Sequence, residues 1–98
     1  MTPRLSLQSE AQADLIESFE WYEQRSIGLG HEFLRIVRIA LAAIERAPEQ
    51  FPVVVDDIRR VRMRRFPYNL FYVVLPSGIS VIAVLHERRD PRRWQARR

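Results

Sequence analysis

The chain has 98 residues, is 47% hydrophobic, and carries a formal net charge of +4. Such a length and apolar content describe a single domain spanning residues 1–98, with one modest core, and exclude wholesale disorder. The lack of cysteine excludes a disulfide framework and a thiolate metal site, and neither a membrane-spanning run nor the apolar stretch of a signal peptide is visible, so a cytoplasmic protein with no membrane partner is expected.

"PRLSLQ" alternates Leu5 and Leu7 with polar neighbours and predicts a short strand. Ser9 followed by Gln12 forms a capping-box pattern, so a helix is expected to begin there. Along this helix Ala11, Leu15, Phe19 and Tyr22 form one apolar stripe, widened by Ile16, while Glu10, Asp14, Glu17, Glu20 and Glu23 fall mostly away from it. Gly28 and Gly30 in "RSIGLG" should end it. Phe33, Ile36, Val37, Ala40, Leu41 and Ile44 then recur at helical spacing, with Glu32 near the start, Arg46 near the end and Pro48 as the stop. A connection this short makes the two helices an antiparallel hairpin.

The period then changes to two. In "RRVRMRRF", Val61 and Met63 alternate with Arg60, Arg62 and Arg64, while Arg59 and Arg65 fall on the parity of Val61 and Met63. "YNLFYVVL" and "ISVIAVLH" are apolar on both faces, as central strands are, and "PSG" joins them as a tight turn. The expected fold is α+β: an N-terminal strand, then an antiparallel helical hairpin packed on one face of an antiparallel sheet, with a three-strand C-terminal meander.

All 16 basic residues are arginine. Residues 1–57 carry five of them against ten acidic residues, whereas residues 58–98 carry eleven against Glu87 and Asp90. The second half should therefore face an anionic partner, nucleic acid or an acidic protein.

Four segments in this order carry a resemblance: "DLIESFEWYEQRSIGLGHEFLR" in the helical hairpin, "APEQFP" after it, "RRFPYNLFYVV" leading into the sheet, and "VIAVLHERRDPRRWQAR" at the end. Together they resemble the RelE/ParE superfamily, the toxins of bacterial type II toxin–antitoxin pairs, and the final segment is more similar to the ParE-like, plasmid-stabilisation branch. The resemblance implies a protein that arrests growth when free and is neutralised by a cognate antitoxin wrapping an acidic segment over it. It also implies DNA gyrase as the target. The alternatives are a ribosome-dependent mRNA endonuclease of the RelE type and a non-toxic relic that only binds its antitoxin.

Against the endonuclease pattern, lysine is absent and the last tyrosine, Tyr72, sits in mid-strand. For that reading His86 would be the acid–base group and Arg62, Arg64 or Arg88 would hold the phosphate; otherwise His86 caps a strand end. Arg60, Arg62 and Arg64 are candidates for an antitoxin- or phosphate-binding stripe, or a solvated face. In "RRDPRRW", Arg88, Arg89, Arg92 and Arg93 are candidates to meet an acidic surface. Trp94 is expected to fold back over the sheet, and Asp90 to pair with an arginine. Trp21 and Tyr22 are adjacent, so Tyr22 takes the core side and Trp21 should be partly exposed as a partner contact. His31 reads as a solvated helix-start residue. No glycine-rich phosphate loop, metal-ligand cluster or nucleophile–base–acid set is present, so no cofactor or metal is expected.

Overall fold

The computed structural model describes residues 4–98; the part of the expected first strand at Pro3 lies outside them. The elements run β1 (Leu5–Leu7), α1 (Ser9–Arg25), α2 (Leu29–Arg46), β2 (Val53–Val55), β3 (Ile58–Arg62), β4 (Tyr68–Leu75), β5 (Gly78–His86) and α3 (Pro91–Gln95). The sheet has the order β1-β5-β4-β3-β2. β1 runs parallel to β5 and every other pair is antiparallel, so the sheet is mixed. The expected meander is β3-β4-β5; "VVV" adds the unforeseen β2 ahead of it.

The α1–α2 hairpin packs on one face. Ala11, Phe33, Ile36, Val37, Ala40 and Ile44 meet Val61, Leu70, Tyr72, Ile79, Val81 and Val84 of the sheet. Gly30 lets the helices approach, since a Cβ there would lie 2.6 Å from the Phe19 carbonyl oxygen. Gly28, at φ 90°, reverses the chain before α2. The Glu23 carboxylate accepts the Gly28 and Gly30 N–H groups at 2.8 and 2.9 Å, supplying partners that the start of a helix leaves unmade. The Gly28 N–H bond is the main reason its pKa is lowered.

The other face holds a smaller cluster of Ile58, Phe71, Val73, Ile82, Ala83 and Leu85, covered by Trp94 from α3. β4 alternates cleanly between the two faces, but β5 does not. Leu70 pairs with Val84, Phe71 with Ala83 and Tyr72 with Val81, leaving Ile82 as an extra residue. Ile82 and Ala83 both face outward, while Val81 and Val84 both face the helices. This bulge inverts the facing of everything after it on β5.

Beyond residue 81, β1 no longer covers the edge of β5; the last backbone bond across is Gln8 N–H to the Val81 carbonyl, 2.9 Å. Two side chains take over. The Asp14 carboxylate accepts the Val84 N–H at 3.0 Å, and the Arg97 guanidinium donates to the Ile82 carbonyl at 3.1 Å. Arg97 and Asp14 also bind each other through two contacts, 2.6 and 3.2 Å. Arg98 holds Asp57 in the β2–β3 turn at 2.8 and 2.6 Å, so the tail is fastened twice.

Three expectations need correction. Ser9 does not cap α1: Gln8 occupies the cap position without a side-chain bond, and Gln12 Nε2 donates back to the Leu7 carbonyl at 3.1 Å. Ile16 is 60% exposed, whereas Asp14 and Ser18 are buried, Asp14 because its carboxylate serves the Val84 N–H at the edge of β5. β3 stops at Arg62, so Arg64 is not part of an alternating strand stripe. Arg65 turns the chain at φ 67° and pairs with Glu32.

Removing Arg97 strands a buried carboxylate. Arg97→Ala should cost about 3 kcal/mol in denaturant unfolding and speed exchange of the Val84 amide; a loss below about 0.5 kcal/mol contradicts the clamp. Burial raises Tyr72 to about 12, and burial followed by the neighbouring Tyr68 raises Tyr22 to about 12. The neutral phenols are favoured in the folded chain, so their stabilisation is complete below about pH 10 and falls as pH rises from there towards about 12. Phenolate absorbance should show both titrating late, and loss of the delay on unfolding checks the cause.

Candidate functional site

The bulge decides where His86 points. At the end of β5 it lies opposite Tyr68 on the helix side of the sheet, with ring centroids 5.4 Å apart. Its Nδ1 accepts the Arg88 N–H at 3.1 Å, and its carbonyl accepts the Arg89 N–H at 2.9 Å. The Glu87 N–H donates to the Pro67 carbonyl at 2.8 Å. His86 thus shapes the turn that presents Arg88 and Arg89, and its Nε2 has no hydrogen-bond partner among the described residues.

Facing this turn, α1 presents Glu17, Glu20, Trp21 and Tyr22. Between the two lies an open cleft of about 510 Å³, with Tyr68, His86, Arg88 and Arg89 on its far side. Its floor is rigid: Tyr22 stacks on Phe33 at 5.4 Å and meets Phe66 edge-on at 5.0 Å. Trp21 stands on the rim, 49% exposed, with the Arg25 guanidinium 4.1 Å over its ring. One exposed ion pair, Arg89 to Glu17 at 3.4 Å, spans the cleft and contributes little stability.

Arg60 and Arg62 project from the opposite face. Arg62 pairs with Asn69, which lies across from Leu85 of the outer cluster, and Arg60 borders a hollow containing Phe71 and Trp94. His86 therefore shares no strand face with Arg62, and Arg64 lies past the strand; Arg88 and Arg89 stand beside His86 at the cleft, and Arg60, His86 and Arg89 line the hollow at the end of the sheet. Arg59 points to the helix side and donates to the Glu49 and Phe51 carbonyls at 3.0 and 2.6 Å, fastening the α2–β2 connection.

Asp90 caps α3 through the Arg92 N–H at 2.9 Å and pairs with the Arg92 guanidinium, which holds the Asp90 pKa down. Trp94 stacks on Phe71 with centroids 4.0 Å apart and is 8% exposed. Among the described residues, Arg60, Arg62, Arg64, Arg88 and Arg93 have no acidic side chain in ion-pair range. Those five guanidiniums are the free cations of the basic half. His31 is exposed and meets Phe19 edge-on at 5.0 Å. Sequence reasoning missed Asp14, Arg97 and Tyr68. The spacing of Ala11, Asp14 and Ser18 was the available signal, for it places Asp14 on the buried side of α1.

Residues 5–91 match the family model described as ParE toxin of type II toxin-antitoxin system, parDE. The chain belongs to the ParE toxin family. It is 26% identical over 97 residues to Toxin ParE2 of Mycobacterium tuberculosis, covering 98% of this chain and 92% of that one. Among solved structures it is similar to a chain of the chromosomal ParDE system from P. aeruginosa, with a TM-score of 0.75, 18% identity, and coverage of 87% and 96%. It is also similar in fold to a variant of E. coli toxin RelE in the free state, with a TM-score of 0.55, 15% identity, and coverage of 90% and 86%. Membership of a toxin–antitoxin family implies a cognate antitoxin as partner.

The two tryptophans of this ParE-family chain should respond differently to truncation. Trp94→Ala uncovers Phe71 and should cost about 3 kcal/mol, whereas Trp21→Ala should cost under about 1 kcal/mol. Equal costs in denaturant unfolding contradict the burial of one and the exposure of the other.

Proposed function

We propose that this chain is a cytoplasmic growth-arresting toxin that acts by binding its target, DNA gyrase, and carries out no covalent chemistry of its own. The family match over residues 5–91 carries this reading. The facing of Arg62 supports it: His86 uses Nδ1 to shape its own turn, and Arg62, one of the expected phosphate-holding arginines, faces away from it, leaving Arg88 and Arg89 as the guanidiniums beside the ring. General acid–base cleavage of RNA needs the proton-transfer group and the phosphate-holding cations around one reacting centre. Binding has no such requirement, and unpaired guanidiniums such as Arg60 and Arg62 on the outer face suit an acidic protein surface.

The same cations suit the antitoxin. Its acidic segment is expected to cover Arg60 and Arg62, with Arg64, Arg88 and Arg93 around them, thereby competing with gyrase. Partner contacts at Arg89 and Arg92 would have to share those side chains with Glu17 and Asp90.

Two assays test the proposal. Purified toxin should inhibit supercoiling by purified gyrase, and reversing charge at Arg60 and Arg62 should weaken the inhibition. His86→Gln, in a protein that still folds, should keep full growth arrest in cells. Normal supercoiling in excess toxin, with complete loss of arrest on His86→Gln, would instead mark His86 as the acid–base group of a ribosome-dependent mRNA endonuclease. No arrest by the wild-type chain would leave an antitoxin-binding relic.

A further inference from the structure

The cleft between α1 and the β5–α3 turn shares only Arg88 with the free cations proposed to meet gyrase. We infer that it is the anchor site of the antitoxin, receiving one aromatic or long apolar side chain flanked by a cation and an anion. This rests on the reading of the chain as the toxin of a pair; it adds where the partner is gripped and by what chemistry.

Shape supports an occupant. The cleft of about 510 Å³ is in the range of sites that enclose a bulky side chain with its neighbours. It is also preorganised, so little ordering is needed on binding. Tyr22 and Tyr68 are packed against Phe33 at 5.4 and 4.9 Å, and the opposite wall is held by the bonds from Arg88, Arg89 and Glu87. Trp21 leaves half its surface open at the rim, as an exposed aromatic anchor does.

Charge selects the kind of occupant. The α1 wall is acidic, with Glu17 and Glu20, and the turn wall is basic, with Arg88 and Arg89. Glu17 and Arg89 neutralise each other across the gap, leaving Glu20 and Arg88 without an ionic partner among the described residues. A polyanion would meet Glu17 and Glu20 as well as the arginines, so nucleic acid suits the outer face better than this cleft. A peptide carrying both signs meets both walls: its cation towards Glu20, its apolar residue over Tyr22 and Tyr68, its anion towards Arg88. From Arg88 the same chain can continue round the end of the sheet towards Arg62.

The test uses the full toxin and the full antitoxin encoded beside it. Glu20→Arg, Arg88→Glu and Trp21→Ala should each weaken the complex about tenfold or more by titration calorimetry. Arg38→Glu, on the exposed side of α2, should leave the affinity within about twofold. The emission component lost in Trp21→Phe should shift to shorter wavelength when antitoxin is added. Unchanged affinity in the three cleft variants, or a Trp21 signal unmoved at saturation, overturns the assignment while leaving a toxin that arrests growth and binds its antitoxin elsewhere. Displacement of the Trp21 signal by a single-stranded oligonucleotide assigns the cleft to nucleic acid and overturns it too. A wild-type chain that forms no complex sinks both this inference and the toxin reading.

Discussion

The uncovered edge of β5 is the constraint around which the molecule is arranged. β1 pairs with only Ile79, Ser80 and Val81, and a central strand cannot end its hydrogen bonding there while buried. Asp14 and Arg97 replace the missing strand, one serving a backbone N–H and the other a backbone carbonyl. Because they also bind each other, α1 and the C-terminal tail are fixed to the same stretch of backbone. The pair is well suited to burial: each ion has the other plus a backbone partner, so desolvation is offset within one compact network. The cleft wall on α1 and the stacking of Trp94 on Phe71 both follow from where this network holds its two segments.

A second device, the bulge at Ile82, separates two chemistries. An uninterrupted alternation from Ile79 would send Leu85 to the helices and His86 to the arginine face. The extra residue exchanges them, so that Leu85 joins the outer cluster and His86 meets Tyr68. One face then carries free cations with little acidic charge, and the other a mixed-charge aromatic cleft. A ParE-family toxin with two dissimilar surfaces can present one to a target and be gripped by its antitoxin on both.

Much of this architecture was legible in the sequence, for identifiable reasons. α2 has one-sided helical periodicity from Phe33 to Ile44, and β4 and β5 are apolar on both faces, so hydrophobic patterning alone specified them. β2 escaped because "VVV" is too short to show a period beside Pro52, and its pairing with β3 is long-range information. Asp14 was misplaced because a carboxylate on an amphipathic helix is ordinarily solvated; only the distant Val84 N–H and Arg97 explain its burial. The facing of His86 could not be read at all, since a bulge leaves no mark in an unbroken run of Val, Ile, Ala and Leu. The basic half was legible as charge, but not the distinction between the free Arg60, Arg62 and Arg88 and the committed Arg59, Arg97 and Arg98.

The proposal that this chain stops growth by binding gyrase is best tested in cells. The chain is induced without its antitoxin, and incorporation of labelled thymidine and labelled methionine is followed over the first minutes. DNA synthesis stopping first, with protein synthesis continuing, is the result this account predicts. Protein synthesis stopping first, with DNA synthesis intact, contradicts it.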